Sequence, residues 1–131
     1  MNCRAGIATT AFALTAGVSD IDAQSVETLA PASLEELVKE GASVYRSRCA
    51  ECHGPNGEGQ WQDHDAAPRL AGKLAPLSVE RIAVLIIQGG SYMPRFDSLT
   101  HREIAAVATF VRNSFGNSHG VVTEEEVAGY R

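Results

Sequence analysis

The sequence predicts an all-α fold, and three observations carry that prediction. Ser33 with Glu36, Thr100 with Glu103 and Thr123 with Glu126 each set a hydroxyl three residues ahead of a glutamate. That spacing is a capping box, in which the hydroxyl accepts from the third helical N–H while the carboxylate reaches back to the cap amide. Behind the first two signals, apolar residues recur every three or four positions, as on one face of a helix. The stretches between the periodic segments gather Gly, Pro and Asn, which punctuate elements and do not extend them.

Taken in order, the chain opens with a separate piece. Arg4 gives a positive start, Ala5 to Val18 is mostly small and apolar, and Ala23 is a small residue where a signal peptidase could cut. Residues 1–23 are expected to be a secretory leader. The apolar run falls short of the roughly 20 residues a membrane span needs, and Thr9, Thr10 and Thr15 interrupt it. Removal of the leader would take Cys3 with it, leaving Cys49, Cys52 and a single methionine, Met93. Residues 24–32, with Pro31 and no period, read as a flexible lead-in.

A first helix is expected from Ser33 into Cys49, with Leu34, Leu37, Val38, Gly41, Val44 and Tyr45 on its apolar face. Gly54 to Pro76 is loop-like and long, which in a compact domain implies that it wraps something. Ser78 caps a second helix that Gly89 and Gly90 end, although the continuous apolar run Ile82 to Ile87 also permits a buried strand. A third helix starts at Thr100, buries Ile104, Val107, Ala108 and Val111, and stops at Gly116 or Asn117. Thr123 opens one or two further turns. The domain is expected over 33–117, with 118–131 as a C-terminal tail.

At 131 residues the chain is long enough for one small domain, whose core would be thin unless something is bound inside it. Its net charge of −5 gives no basic footprint for nucleic acid. Only two lysines, Lys39 and Lys73, are present, so docking by a ring of lysines is not expected.

The chemistry concentrates in CAECHG, residues 49–54. Two thiols separated by two residues can add to the two vinyl groups of one haem, and a histidine directly after them can ligate the iron. A zinc site needs four ligands, yet beyond Cys49 and Cys52 only histidines remain, with no second C-x-x-C. A redox pair of the thioredoxin kind follows a strand, whereas a helix precedes this one. A plain disulfide suits an exported protein but leaves His53 without a role. For the second axial position the candidates are Met93, His64, His101, His119 or no protein ligand. Met93 is preferred: it lies in the irregular GGSYMP loop, where Pro94 keeps it extended. A lone buried methionine is otherwise a core filler. The three histidines read as solvated surface residues. Were Met93 not to ligate, the sixth position would be open, and the protein would be a haem enzyme or gas binder.

The order CAECHG, APRLAG, GGSYMPRF and LTHREIAAVATFVRN resembles a small class I c-type cytochrome from about Leu34 to Asn117. The resemblance implies three to four helices wrapped around one haem c, attached through Cys49 and Cys52, with His53 and Met93 as iron ligands. It implies a crossing of the first and last helices in which Gly41, Tyr45 and Phe110 take part. It also implies that the Pro68 carbonyl accepts from the free nitrogen of His53 and orients the ring. The function implied is periplasmic electron transfer and not catalysis, as a free carrier or as a haem subunit. Redox proteins are then the partners, for example a periplasmic dehydrogenase or a terminal oxidase. The tail, VRNSFGNSHGVVTEEEVAGYR, is similar to the end of cytochrome domains serving periplasmic dehydrogenases, including alcohol dehydrogenase cytochrome subunits.

Overall fold

In a computed structural model of the chain, residues 32–60 and 67–130 are described. α1, Leu34–Arg48, begins where Ser33 accepts from the Glu36 N–H at 3.2 Å and Glu36 accepts in return from the Ser33 N–H at 2.8 Å. α2, Ala50–His53, is a single turn that follows α1 directly, and α3, Val79–Gln88, is capped by the Ser78 hydroxyl. The run Ile82 to Ile87 is therefore helical, and Ile82, Ala83, Ile86 and Ile87 are its buried face. α4, His101–Asn113, and α5, Glu124–Ala128, each open with the capping box read from the sequence. The described residues thus form an all-α fold without strands. Its helices number five where three to four were expected, because the CAECH segment is itself a helical turn.

The fold turns on the packing of α1 against α4. Gly41 is where they approach: a methyl group there would fall on the Ala106 carbonyl oxygen, within 2.5 Å of its carbon and 2.7 Å of the Phe110 Cβ. Tyr45, one turn on, sets its ring centre 5.3 Å from that of Phe110 and 5.2 Å from that of Phe115, tilted by about 50° to each. Ile104, Ala105, Val107 and Ala108 of α4 complete a core shared with Ile82 and Ile86 of α3.

Two expectations are corrected here. Leu34 is 45 % exposed, because it sits one turn outside the stretch Leu37, Gly41, Tyr45 that α4 covers. α4 ends at Asn113, before Gly116 or Asn117, and Phe115 adopts a left-handed φ of 57°. Such a backbone costs on the order of 1–3 kcal/mol in a non-glycine residue. The Phe115 ring offsets that cost by closing a three-ring cluster, 5.4 Å from Phe110 and edge-on to it.

After α4 the chain folds back onto it. The Thr109 hydroxyl donates to the Val122 carbonyl at 3.3 Å and accepts from the Val122 N–H at 2.9 Å. Arg102 of α4 pairs with Glu40 of α1 at 2.8 Å and with Glu124 of α5 at 3.6 Å, joining three helices through half-exposed side chains.

Candidate cofactor site

Cys49 closes α1, its N–H bonded to the Tyr45 carbonyl, and leads at once into α2. Cys49, Cys52 and His53 therefore share one helical turn, where side chains three and four apart lie on the same face. Cys49 is half-buried, Cys52 exposed and His53 buried, and no disulfide joins the cysteines. Burial above all, with the neighbouring Cys52 adding to it, pushes the Cys49 thiol up to about 11. A redox-active pair requires the opposite, a thiol shifted down so that thiolate forms. Gly54, at φ 79°, ends the turn; its carbonyl accepts from the Tyr45 hydroxyl at 2.7 Å, while the Gly59 N–H returns to the His53 carbonyl.

The segment after residue 66 brings Pro68 to His53. The Pro68 carbonyl lies 3.0 Å from His53 Nδ1. A carbonyl can only accept, so Nδ1 is the donor, and in the neutral ring Nε2 is then the nitrogen with a lone pair for a metal. The 67–71 segment is itself held by the Gln60 N–H on the Ala67 carbonyl and by the Leu70 and Ala71 N–H groups on Gly57.

Met93 arrives on a loop that doubles back over the end of α3. The Gly90 N–H bonds the Met93 carbonyl at 2.9 Å and the Phe96 N–H bonds Ile86 at 3.0 Å. Gly89 makes this possible: at φ 77°, any Cβ there would sit 2.5 Å from the Met93 carbonyl oxygen.

These pieces enclose one cleft with about 870 Å³ of empty space, part of it open to solvent. Cys49, Cys52, His53, Pro68 and Met93 all line it. Sequence reasoning missed other wall residues: Leu85 from α3, Phe96, the exposed Tyr92, and Arg48. The aromatic residues bracketing Met93 in SYMPRF were the available signal. His101 and His119 do not line the cleft. His101 is not the solvated residue expected: it is half-buried with Nε2 enclosed. His119 is half-buried, and its backbone N–H and carbonyl are both bonded to Arg112 of α4. His64 lies outside the described residues. Among the described residues, no three His, Cys, Asp or Glu side chains gather to hold a metal ion by themselves.

An apolar slot with two thiols, an imidazole whose Nδ1 is committed elsewhere, and a thioether is a donor set that fits a covalently held porphyrin iron. The all-α fold and this slot define the class as class I c-type cytochromes. Residues 36–111 match the family described as cytochrome c oxidase, cbb3-type, subunit III; the match spans more than half of the chain, which belongs to that family. Membership implies covalently bound haem c and points to an electron carrier rather than an enzyme. Comparison with curated proteins returned no match. No helix among the described residues is long and apolar enough to cross a membrane.

Proposed function

We propose that this chain is a periplasmic, monohaem electron-transfer cytochrome with histidine and methionine axial ligands. Cys49 and Cys52 are the thioether anchors, His53 Nε2 and the Met93 sulfur are the iron ligands, and the Pro68 carbonyl orients the His53 ring. The observation that carries this reading is the convergence of these five residues on one apolar cleft, with His53 Nδ1 already bonded to Pro68. When bound, the haem supplies a one-electron ferric/ferrous couple. The protein's part is to hold both axial positions and exclude water. A methionine thioether favours the reduced iron, and filling both positions leaves none for substrate. Leu85, Pro94 and Phe96 add apolar wall to the cleft.

Export rests on the leader read in residues 1–23, and the periplasm is the compartment that follows. The partners are redox proteins. The family description favours a terminal oxidase, and the tail's likeness to dehydrogenase cytochromes favours a periplasmic dehydrogenase. In either case the carrier works as a soluble domain or as a fixed haem subunit.

Carbon monoxide tests the ligand set. The reduced wild-type holoprotein should resist rapid CO binding, whereas Met93→Ala should retain its haem and bind CO readily. Rapid CO binding by the wild type, or an unchanged Met93→Ala spectrum, would overturn the Met93 assignment in favour of an open-site haem protein.

A further inference from the structure

Asn117 stands just past the end of α4 and does not line the cleft, yet it is only 6 % exposed. Its Nδ2 donates to the Leu70 carbonyl at 3.1 Å and to the Val111 carbonyl at 3.0 Å. Both partners can only accept, so the chemistry itself fixes which way the amide points. Its Oδ1 is buried and has no partner among the described residues. An unmet buried acceptor is destabilising, and an apolar side chain of similar size would avoid that cost. The amide is therefore explained by what it does to its two carbonyls.

One of those carbonyls is two residues from Pro68. Pro68 has no N–H of its own, and its carbonyl faces His53, so its place is set by its neighbours. On one side the Gln60 N–H holds the Ala67 carbonyl. On the other, Leu70 and Ala71 donate to Gly57, and Asn117 ties the Leu70 carbonyl to α4. We propose that Asn117 is a positioning residue for the haem iron: by clamping Leu70 to the end of α4 it holds the Pro68 carbonyl on His53 Nδ1 and so tunes the redox equilibrium. This rests on His53 being an iron ligand. A hydrogen bond from the far nitrogen makes a ligating imidazole a stronger donor. A stronger donor favours ferric iron, so loosening the Pro68 carbonyl should favour the ferrous state.

The test uses haem-loaded protein and three variants. Asn117→Leu removes both donors without adding charge, and Asn117→Ser keeps one shorter donor. Asn113→Ala cuts a neighbouring clasp, the bonds from Asn113 to Gly120 and Thr109, which touches neither the cleft nor the 67–71 segment. Redox titration should show the reduced-to-oxidised ratio at fixed ambient potential rising about threefold in Asn117→Leu. A modest change is expected because Asn117 acts through a neighbour of the ligand's partner, whereas losing a direct partner typically costs about 10–100-fold in metal affinity or activity. Asn117→Ser should shift less, Asn113→Ala not at all, and proton exchange at the His53 ring N–H should quicken in the order of the shifts. If Asn117→Leu yields no holoprotein, Asn117→Ser decides alone. A wild-type ratio and wild-type ring exchange in the Asn117 variants, or an equal shift in Asn113→Ala, would overturn the proposal. Absence of attached haem from the wild type would overturn the reading of the cleft itself, and this inference with it.

Discussion

Tyr45 shows how one side chain joins packing to the site. It is 1 % exposed, its ring fills the gap between Phe110 and Phe115, and its hydroxyl donates to the carbonyl of Gly54, the residue after His53. Tyr45→Phe keeps the ring and takes one of two donors from the buried Gly54 carbonyl, leaving the Gly57 N–H at 3.2 Å, so it should cost about 0.5–1.5 kcal/mol in denaturant unfolding. The loss has a pH signature. Burial, more than the nearby Cys49 and Glu58, pushes the Tyr45 hydroxyl from 10.0 to about 12, so the fold favours the neutral phenol. A raised value means a contribution present in full below about pH 10 and lost as pH climbs through 12. The stability gap between wild type and Tyr45→Phe should therefore narrow across that window. A constant gap would show that the hydroxyl is not specifically held.

At the scale of elements, what was legible in the sequence was local. The three capping boxes were readable because cap and partner are three residues apart, and each is formed. Bonding to their caps holds the Glu36 and Glu103 carboxyls below the ordinary value, which is the electrostatic mark of the same contacts. CAECHG was readable because its chemistry lies within one turn. By contrast, the Pro68 contact to His53 spans 15 positions, and only a family likeness pointed to it. The Asn117 contact to Leu70 spans 47, so Asn117 looked like a helix stop. The true stop, at Asn113, depends on the Phe115 ring finding Tyr45, which no local pattern encodes. The helix crossing lies between these cases, since a glycine inside a helical period announces close approach without naming the partner. Gly41→Ala tests that partner. Its methyl would meet Ala106 backbone, which cannot rotate away, so the helices must part. Overpacking costs typically 1–3 kcal/mol, and against backbone the upper end, about 3 kcal/mol, is expected. A variant with wild-type stability would mean that α1 and α4 slide apart without loss.

For the whole molecule, the segment beyond the family match is the part whose contribution is least obvious. The match ends at residue 111, yet Val122 and Val127 are both 0 % exposed and belong to the same core as α4. The return of the chain is fastened at three places on α4: Thr109 to Val122, Asn113 to Gly120, and Arg112 to His119. Each buried valine is worth about 1.5–3 kcal/mol. Truncation after Asn117 would also leave Thr109, itself fully buried, without its partner. A loss of about 3–5 kcal/mol is expected, a large share of the 5–15 kcal/mol that stabilises a typical domain. No residue of the tail lines the cleft, however, and Asn117 is kept. The haem-loaded truncation should thus unfold at much lower denaturant while its redox equilibrium stays at the wild-type value, the reverse of the pattern expected for Asn117→Leu. An unchanged unfolding midpoint would remove the tail from the core. A shifted redox equilibrium would show that the α4 surface beneath the tail communicates with the cleft by a route other than Asn117.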